Sequence, residues 1–212
     1  MVRIFLIRHG QTQWNREGQG RFRGRADIPL DDTGISQAHA TAKKLAGCNA
    51  VAVYSSPLSR ALMTAQSIAD QLSLTVTPVN GLIDIDYGNW QGLSTEEALR
   101  EDKDLHQLWV ERPHEVIFPG GEGLKDVRDR VSSFIDWLTA KHPEQTVILV
   151  SHVVVCKVFI CVVLGLDTSH FWQIGQHVCG INDIGMRNGE FVLKSLNDTC
   201  HLRFIQEFHP TS

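Results

Sequence analysis

Two apolar runs, residues 2–7 and 147–150, constrain this chain more than any other feature. Neither run alternates polar with apolar residues, so neither fits a strand with one face in water. Each reads instead as a strand buried on both faces, which requires a sheet covered by helices on both sides. Both runs end abruptly in polar residues: Arg8-His9-Gly10 after the first, Ser151-His152 after the second.

Helix signals fall between the strand signals. Thr33 can cap a helix running to about Ala46, with Gly47 as its stop. Residues 50–54 form the next strand. Ser56 then caps a helix with Pro57 in its first position, running to about Leu72. Residues 74–77 form a third, short strand. Ser94 and Glu97 have capping-box spacing and open a helical stretch reaching about Glu111. Residues 112–123, rich in Pro and Gly, form a loop, and a helix follows to about Lys141. After the strand 147–150 come a helix over 153–164, a short helix after Asp167, and short strands from Val178. Repeated βα units predict an α/β fold with a mostly parallel sheet sandwiched between helices. No linker-like segment divides residues 1–212, so one domain is expected.

Composition removes several function classes. Hydrophobic residues make up 42% of the 212, enough for a core, which excludes global disorder. The formal charge of -4 speaks against a nucleic-acid partner. Residues 146–166 are nearly long enough to span a bilayer, but His152 and Lys157 interrupt them and the pattern changes from strand to helix. The first eight residues are too short for a signal-peptide core. No membrane association is expected. The five cysteines are odd in number and form no C-x-x-C, which fits free thiols in the cytoplasm. None has an Arg six residues on, so a thiol nucleophile for phosphate is not expected.

Ligands of such sheets bind beyond the C-terminal strand ends. Those ends carry Arg8-His9, Ser55-Ser56 followed by Arg60, and Ser151-His152. Two arginines suit a doubly charged oxyanion, which they bind through paired charge-assisted hydrogen bonds. A neutral imidazole can attack phosphorus, and nearby arginines keep it unprotonated. A second imidazole, if protonated, would stabilise the equatorial oxygens, and a carboxyl group would protonate the leaving alcohol. Such chemistry calls for no metal and no cofactor.

The ordered motifs resemble those of the histidine phosphatase superfamily, which includes the cofactor-dependent phosphoglycerate mutases. They are Arg8-His9-Gly10 with Gln11-Thr12-x-Trp14-Asn15, Asp27-x-Pro29-Leu30, Thr33-Gly34, Gln37-Ala38, Ser55-Ser56-Pro57-Leu58-x-Arg60-Ala61, Thr64-Ala65, Tyr87-Gly88-x-Trp90-x-Gly92, Gly120-Gly121-Glu122 and Val150-Ser151-His152. The resemblance implies a three-layer α/β/α sandwich. It makes His9 the nucleophile, with Arg8, Arg60 and His152 forming the phosphate pocket, and Asn15 and Gln11 on the loop beside it. Asn15 is expected to donate a further hydrogen bond to the phosphoryl group.

Two departures stand out. Asp84 takes the place where the family usually has a Glu, and its side chain is shorter by roughly 1.5 Å, about one carbon–carbon bond. Asp86 is a second candidate acid, facing the same way if the segment is extended. The segment from Gly18 to Gly24 looks two residues longer than usual and puts Arg23 where a Gln is common. Arg23 is expected at the mouth, suiting a substrate with a second anionic group.

The short stretch between Leu93 and Phe118 favours a phosphatase over a mutase, and several segments resemble the metal-independent phosphoserine phosphatases. These include Ile85-Asp86-Tyr87-Gly88-Asn89-Trp90, Leu164-Gly165-Leu166-Asp167 and the tail Leu196-Asn197-x-Thr199-Cys200-His201-Leu202. That likeness implies L-phosphoserine as substrate, a place in serine biosynthesis, a homodimer, and His201 and Tyr87 as substrate contacts. Tyr87 stands where a His is often found. Alternatives are another small phosphorylated acid, sugar or cofactor precursor, a mutase, or a non-enzymatic phosphate-binding regulator. An Asp-x-Asp magnesium phosphatase is disfavoured, because Gly88 stands where Thr or Val is required.

Other polar and aromatic residues read as structural. Ser151 is expected to cap the helix that follows it. His39, His106, His142, His170 and His177 read as surface or satisfied core histidines, and Trp109, Trp137 and Trp172 as core or interface. Glu122 is balanced between pocket lining and a turn, and His201 between substrate contact and C-terminal packing.

Overall fold

The computed structural model describes residues 2–15 and 20–205. Gly18 and Gln19, part of the lengthened segment, lie outside the described residues. Six strands form one sheet in the order β3-β2-β4-β1-β5-β6. They are β1 (Arg3–Arg8), β2 (Ala50–Ser55), β3 (Val76–Pro78), β4 (Thr146–Ser151), β5 (Ile181–Arg187) and β6 (Glu190–Asp198). The first four are parallel; β5 runs antiparallel to both its neighbours, β1 and β6.

The two apolar runs lie side by side at the centre, with Ile4 opposite Val147 and Ile7 opposite Val150. Their pleat divides the core in two. Ile4, Leu6, Val147 and Leu149 face one cluster, shared with α5 (Leu124–Lys141) and α6 (Val153–Val163). Phe5, Ile7, Ile148 and Val150 face the other, shared with α1 (Asp32–Leu45) and α2 (Ser59–Leu72). Successive side chains point to opposite faces, so an uninterrupted apolar run fills both layers of a sandwich.

Several helix ends differ from expectation, each because a competing hydrogen bond decides the boundary. Asp31 caps α1, not Thr33: its carboxylate accepts from Gly34 N at 2.8 Å, and a negative charge also suits the helix N-terminus. Helix α2 starts at Ser59 rather than at Pro57, and the Ser59 amide is satisfied by Asp27 Oδ1 at 2.7 Å. The stretch after Ser94 keeps its capping box but breaks into α3 (Thr95–Glu101) and α4 (Lys103–Glu111). Asp102 makes the break, because its extended backbone lets its side chain cap Leu105 N at 2.9 Å. Strand β3 begins later than expected and includes Pro78, which is tolerated because β3 is an edge strand. Ser151 does not cap α6; its hydroxyl donates to Leu82 O at 2.7 Å, and His152 occupies the cap position.

No helix among the described residues is long and apolar enough to cross a membrane. The apolar stretch divides into β4 and α6.

Candidate active site

Strands β2, β4 and β1 are adjacent and parallel, so their C-terminal ends open on one edge. That edge receives Arg8-His9, Ser55-Ser56 and Ser151-His152, and α2 brings in Arg60.

His9 is fully buried. Its Nδ1 lies 2.6 Å from Gly10 O. A carbonyl only accepts, so Nδ1 carries the proton and Nε2 carries the lone pair. Nε2 is buried with no hydrogen-bond partner. The backbone around it is tied down: His9 N donates to Ser151 O at 2.9 Å, Gly10 N to Thr64 Oγ1 at 3.1 Å, and Cys179 N to Arg8 O at 3.0 Å. Gly10 is required here, because a Cβ would sit 2.7 Å from Gly34 O. Burial, reinforced by Arg60, His152, Arg23 and Arg8, holds the His9 imidazole well below its ordinary pKa.

His152 stands beside it, with ring centroids 5.2 Å apart. Its Nδ1 accepts from Arg60 Nε at 3.2 Å, so its Nε2–H donates to Ser56 Oγ at 2.7 Å. Burial and the arginines also hold His152 well below its ordinary pKa, and the ring is neutral rather than a second cation. Arg60 is fixed by carbonyls, with Nη1 donating to Ala26 O and Nη2 to Gly24 O, both at 2.7 Å. Arg60 Nη2 also reaches Asp84 Oδ2 at 3.2 Å. Asp84 is buried, accepts from Ile85 N at 3.0 Å, and lies 3.6 Å from His152 Nδ1. Burial raises its carboxyl pKa, although Arg60 and Arg23 oppose this.

Arg8 donates through Nη1 to Gln176 O at 2.6 Å, while its buried Nε has no partner. Arg23 is buried instead of standing at the mouth; its Nη1 is 3.5 Å from Thr12 Oγ1 and its Nε is also bare. Three guanidiniums and one carboxyl group thus share a largely buried space with two neutral imidazoles. Unpaired buried charge is costly, and an anion would satisfy it.

The remaining candidates have other partners. Gln11 binds Asp31 Oδ2 through Nε2 at 3.2 Å, and its amide donates to Gln37. Asn15 turns its Oδ1 back to Thr12 N and Oγ1, both at 2.7 Å. Asp86 does not join the pocket carboxyl: it accepts from Gly88 N at 2.9 Å and pairs with Arg25 at 3.3 Å. Glu122 bonds Arg25, Arg130 and Asp86 N, which resolves it as a structural brace. His201 packs on α1, its Nε2 3.0 Å from Thr41 Oγ1. Tyr87 is buried among Phe22, Trp109 and Phe118, and burial with Asp84 nearby raises its phenol pKa.

Sequence reasoning missed three features. Ser56 serves His152 as well as the turn that opens α2: its Oγ accepts from His152 Nε2 at 2.7 Å and from Leu58 N at 3.3 Å. Trp109 and Trp172 wall a cavity of about 350 Å³ next to Tyr87, with His106 and Lys157 also on its lining. Gln176 orients Arg8 through its backbone carbonyl, and only its partner's position could have revealed it. Among the described residues no group of three His, Cys, Asp or Glu side chains is placed to hold a metal ion.

Residues 4–199 match the model of the histidine phosphatase superfamily, branch 1. The chain is 38% identical over 210 residues to phosphoserine phosphatase 1 of Hydrogenobacter thermophilus, covering 99% of each. Among solved structures, Bacillus stearothermophilus YhfR superposes with a TM-score of 0.90 at 26% identity, over 95% of this chain and 100% of that one. A mutant phosphoserine phosphatase from Entamoeba histolytica in complex with phosphoserine superposes with a TM-score of 0.85 at 31% identity, over 95% and 100%. With the motifs, the sheet and the buried histidine pair in agreement with these likenesses, the chain belongs to the histidine phosphatase superfamily and is a phosphatase.

Proposed function

We propose that this phosphatase hydrolyses L-phosphoserine through a phosphohistidine on His9. The observation that carries the reading is the bare, buried Nε2 of His9 among the guanidiniums of Arg8, Arg23 and Arg60. In the first step the Nε2 lone pair attacks phosphorus and the ester P–O bond breaks. Asp84, a carboxyl whose pKa is raised by burial, gives its proton to the departing serine oxygen. In the second step Asp84 takes a proton from water as the water oxygen attacks phosphorus. The N–P bond breaks, releasing phosphate and restoring neutral His9. The arginines stabilise the charge on the transferring phosphoryl group. His152 holds Arg60 in place as a neutral acceptor. Asp84, not Asp86, is the proton donor in this reading, because Asp86 is engaged with Gly88 and Arg25. The relatives named for phosphoserine support the choice of substrate.

The test is phosphate release from L-phosphoserine in EDTA, beside phosphorylated sugars, acids and nucleotides. Preference for phosphoserine that vanishes in His9→Ala supports both mechanism and substrate. Turnover spread over other esters keeps the mechanism and discards phosphoserine. Stoichiometric phosphate binding with no turnover on any ester leaves a binding protein.

A further inference from the structure

Lys157 is a buried lysine on α6 without a hydrogen-bonded or carboxylate partner among the described residues. Its Nζ lies 4.6 Å from the Phe171 ring centroid and 4.5 Å from that of Trp172. Aromatic faces attract an ammonium but cannot neutralise it. Burial, with Arg8 adding repulsion, lowers its pKa to about 8, so it is mainly charged at neutral pH. The lysine opens on the cavity beside the phosphate pocket, whose walls include Tyr87, Trp109, Val153 and Trp172. Among the described residues no Asp or Glu lines that cavity.

The cavity and the phosphate pocket share a wall. Tyr87 lines the cavity and also feels the charges of Asp84, Arg23 and Arg8. Val153 directly follows His152, and Lys157 stands one helical turn after Val153 on the same face. Helical side chains lean toward the N-terminus, and the N-terminal end of α6 is His152. A purely apolar substituent would need no ammonium there; Met or Leu would fill the same volume without the cost of a buried charge.

We infer that the cavity is the subsite for the non-phosphate part of the substrate, and that Lys157 selects esters whose alcohol carries a carboxylate. The inference rests on the phosphatase reading of His9 and deepens it. The carboxylate displaces no existing partner and gains a charge-assisted hydrogen bond from Nζ.

Matched substrate pairs test it: L-phosphoserine against phosphoethanolamine, and 3-phosphoglycerate against glycerol 3-phosphate. The wild-type protein is expected to favour the carboxylate member of at least one pair by roughly 10–100-fold in kcat/KM. Lys157→Met brings that ratio to within about threefold of unity, and Lys157→Arg keeps most of it. The ratio is taken within one variant, so loss of folded protein cancels; if the Met variant is insoluble, Lys157→Gln reads the same quantity. Wild-type indifference to the carboxylate, or a preference that survives Lys157→Met, overturns the inference. A preference seen only in the glycerate pair discards phosphoserine but keeps Lys157. Absence of hydrolysis of every ester, p-nitrophenyl phosphate included, overturns the inference together with the reading of His9.

Discussion

Arg60 Nε donates a hydrogen bond to His152 Nδ1 across 3.2 Å. An arginine side chain has no acceptor, so this one contact sets the tautomer of the ring. It leaves the Nε2–H of His152 facing Ser56 Oγ, and it holds His152 neutral inside a cationic pocket.

Ser56→Ala removes the acceptor for that Nε2–H and strands a buried donor. The expected loss is about 1–3 kcal/mol of stability, read from urea unfolding. The imidazole nitrogen shifts of His152 should change in the same variant. A variant as stable as wild type, with unchanged shifts, would mean that the hydroxyl is not the partner that fixes the ring.

The raised carboxyl of Asp84 makes a prediction about leaving groups. Asp84→Asn cannot donate a proton, so alkyl phosphates should slow by on the order of 10²–10⁴-fold in kcat. p-Nitrophenyl phosphate should slow far less, since its phenolate departs unprotonated. Equal losses on both would remove Asp84 from the proton-donor role. Asp86→Asn is expected to cost stability through Arg25 and Gly88, without this leaving-group dependence.

Acid sensitivity follows from the two depressed histidines. An unfolded histidine titrates near pH 6.5, whereas His9 and His152 in the fold titrate well below it. Between those values the unfolded chain binds protons that the folded chain does not. Stability is therefore fully present above about pH 6.5 and declines as the pH is lowered through that window. Asp84, shifted upward, acts in the opposite direction. In a difference curve against His9→Gln the Asp84 contribution largely cancels, and the wild type should lose up to about 1.4 kcal/mol per pH unit relative to the variant. A flat difference curve from pH 7 to 5 would contradict the burial-driven shift of His9. The same shift places the acid limb of kcat/KM below pH 6.5, where an ordinary histidine would already be protonated.

The close approach of the β1–α1 loop to α1 predicts a steric effect. A Cβ on Gly34 would overlap the backbone oxygen of Gln11, two residues beyond His9. Gly34→Ala is expected to cost about 1–3 kcal/mol or more, and to lower kcat by displacing His9. Gly47→Ala, where an added Cβ meets nothing within 4 Å, is the control and should change stability by less than about 0.5 kcal/mol. Thermal unfolding of the two variants side by side checks this.

The central sheet was legible because β1 and β4 carry their signal locally: an apolar run buried on both faces, ending in the residues that form the site. The convergence of Arg8, His9, Arg60 and His152 followed from their places at C-terminal strand ends and from the family motifs. What stayed hidden depends on contacts between distant segments. Ser56 has the spacing of a helix cap, and only the arrival of His152 gives its hydroxyl another use. Arg23 sits in a polar loop, and nothing in its neighbours in sequence says that the loop folds inward. Trp109 on α4 and Trp172 in the short helix Thr168–Gln173 meet edge to face at 5.4 Å, so their cavity exists only once those segments dock. Lys157 was visible as a charge in an apolar run, which argued against a membrane span but did not say what the charge is for. Asp31 and Asp102 outcompeted the caps and continuous helix expected around them, a contest decided by backbone geometry.

Strand β1 is made first and lies between β4 and β5, which are made among the last. The carbonyls of Arg8 and His9 then wait for the amide of Cys179, from the segment just before β5. During synthesis the strand that carries His9 has neither of its sheet neighbours, although α1, β2 and α2 can already form. Until β4 emerges, its apolar faces and both edges are open to mispairing with other chains or to capture by a chaperone. Ribosomes stalled before residue 146 would hold a nascent chain that contains His9, Arg8 and Arg60 and yet has no pocket for phosphate.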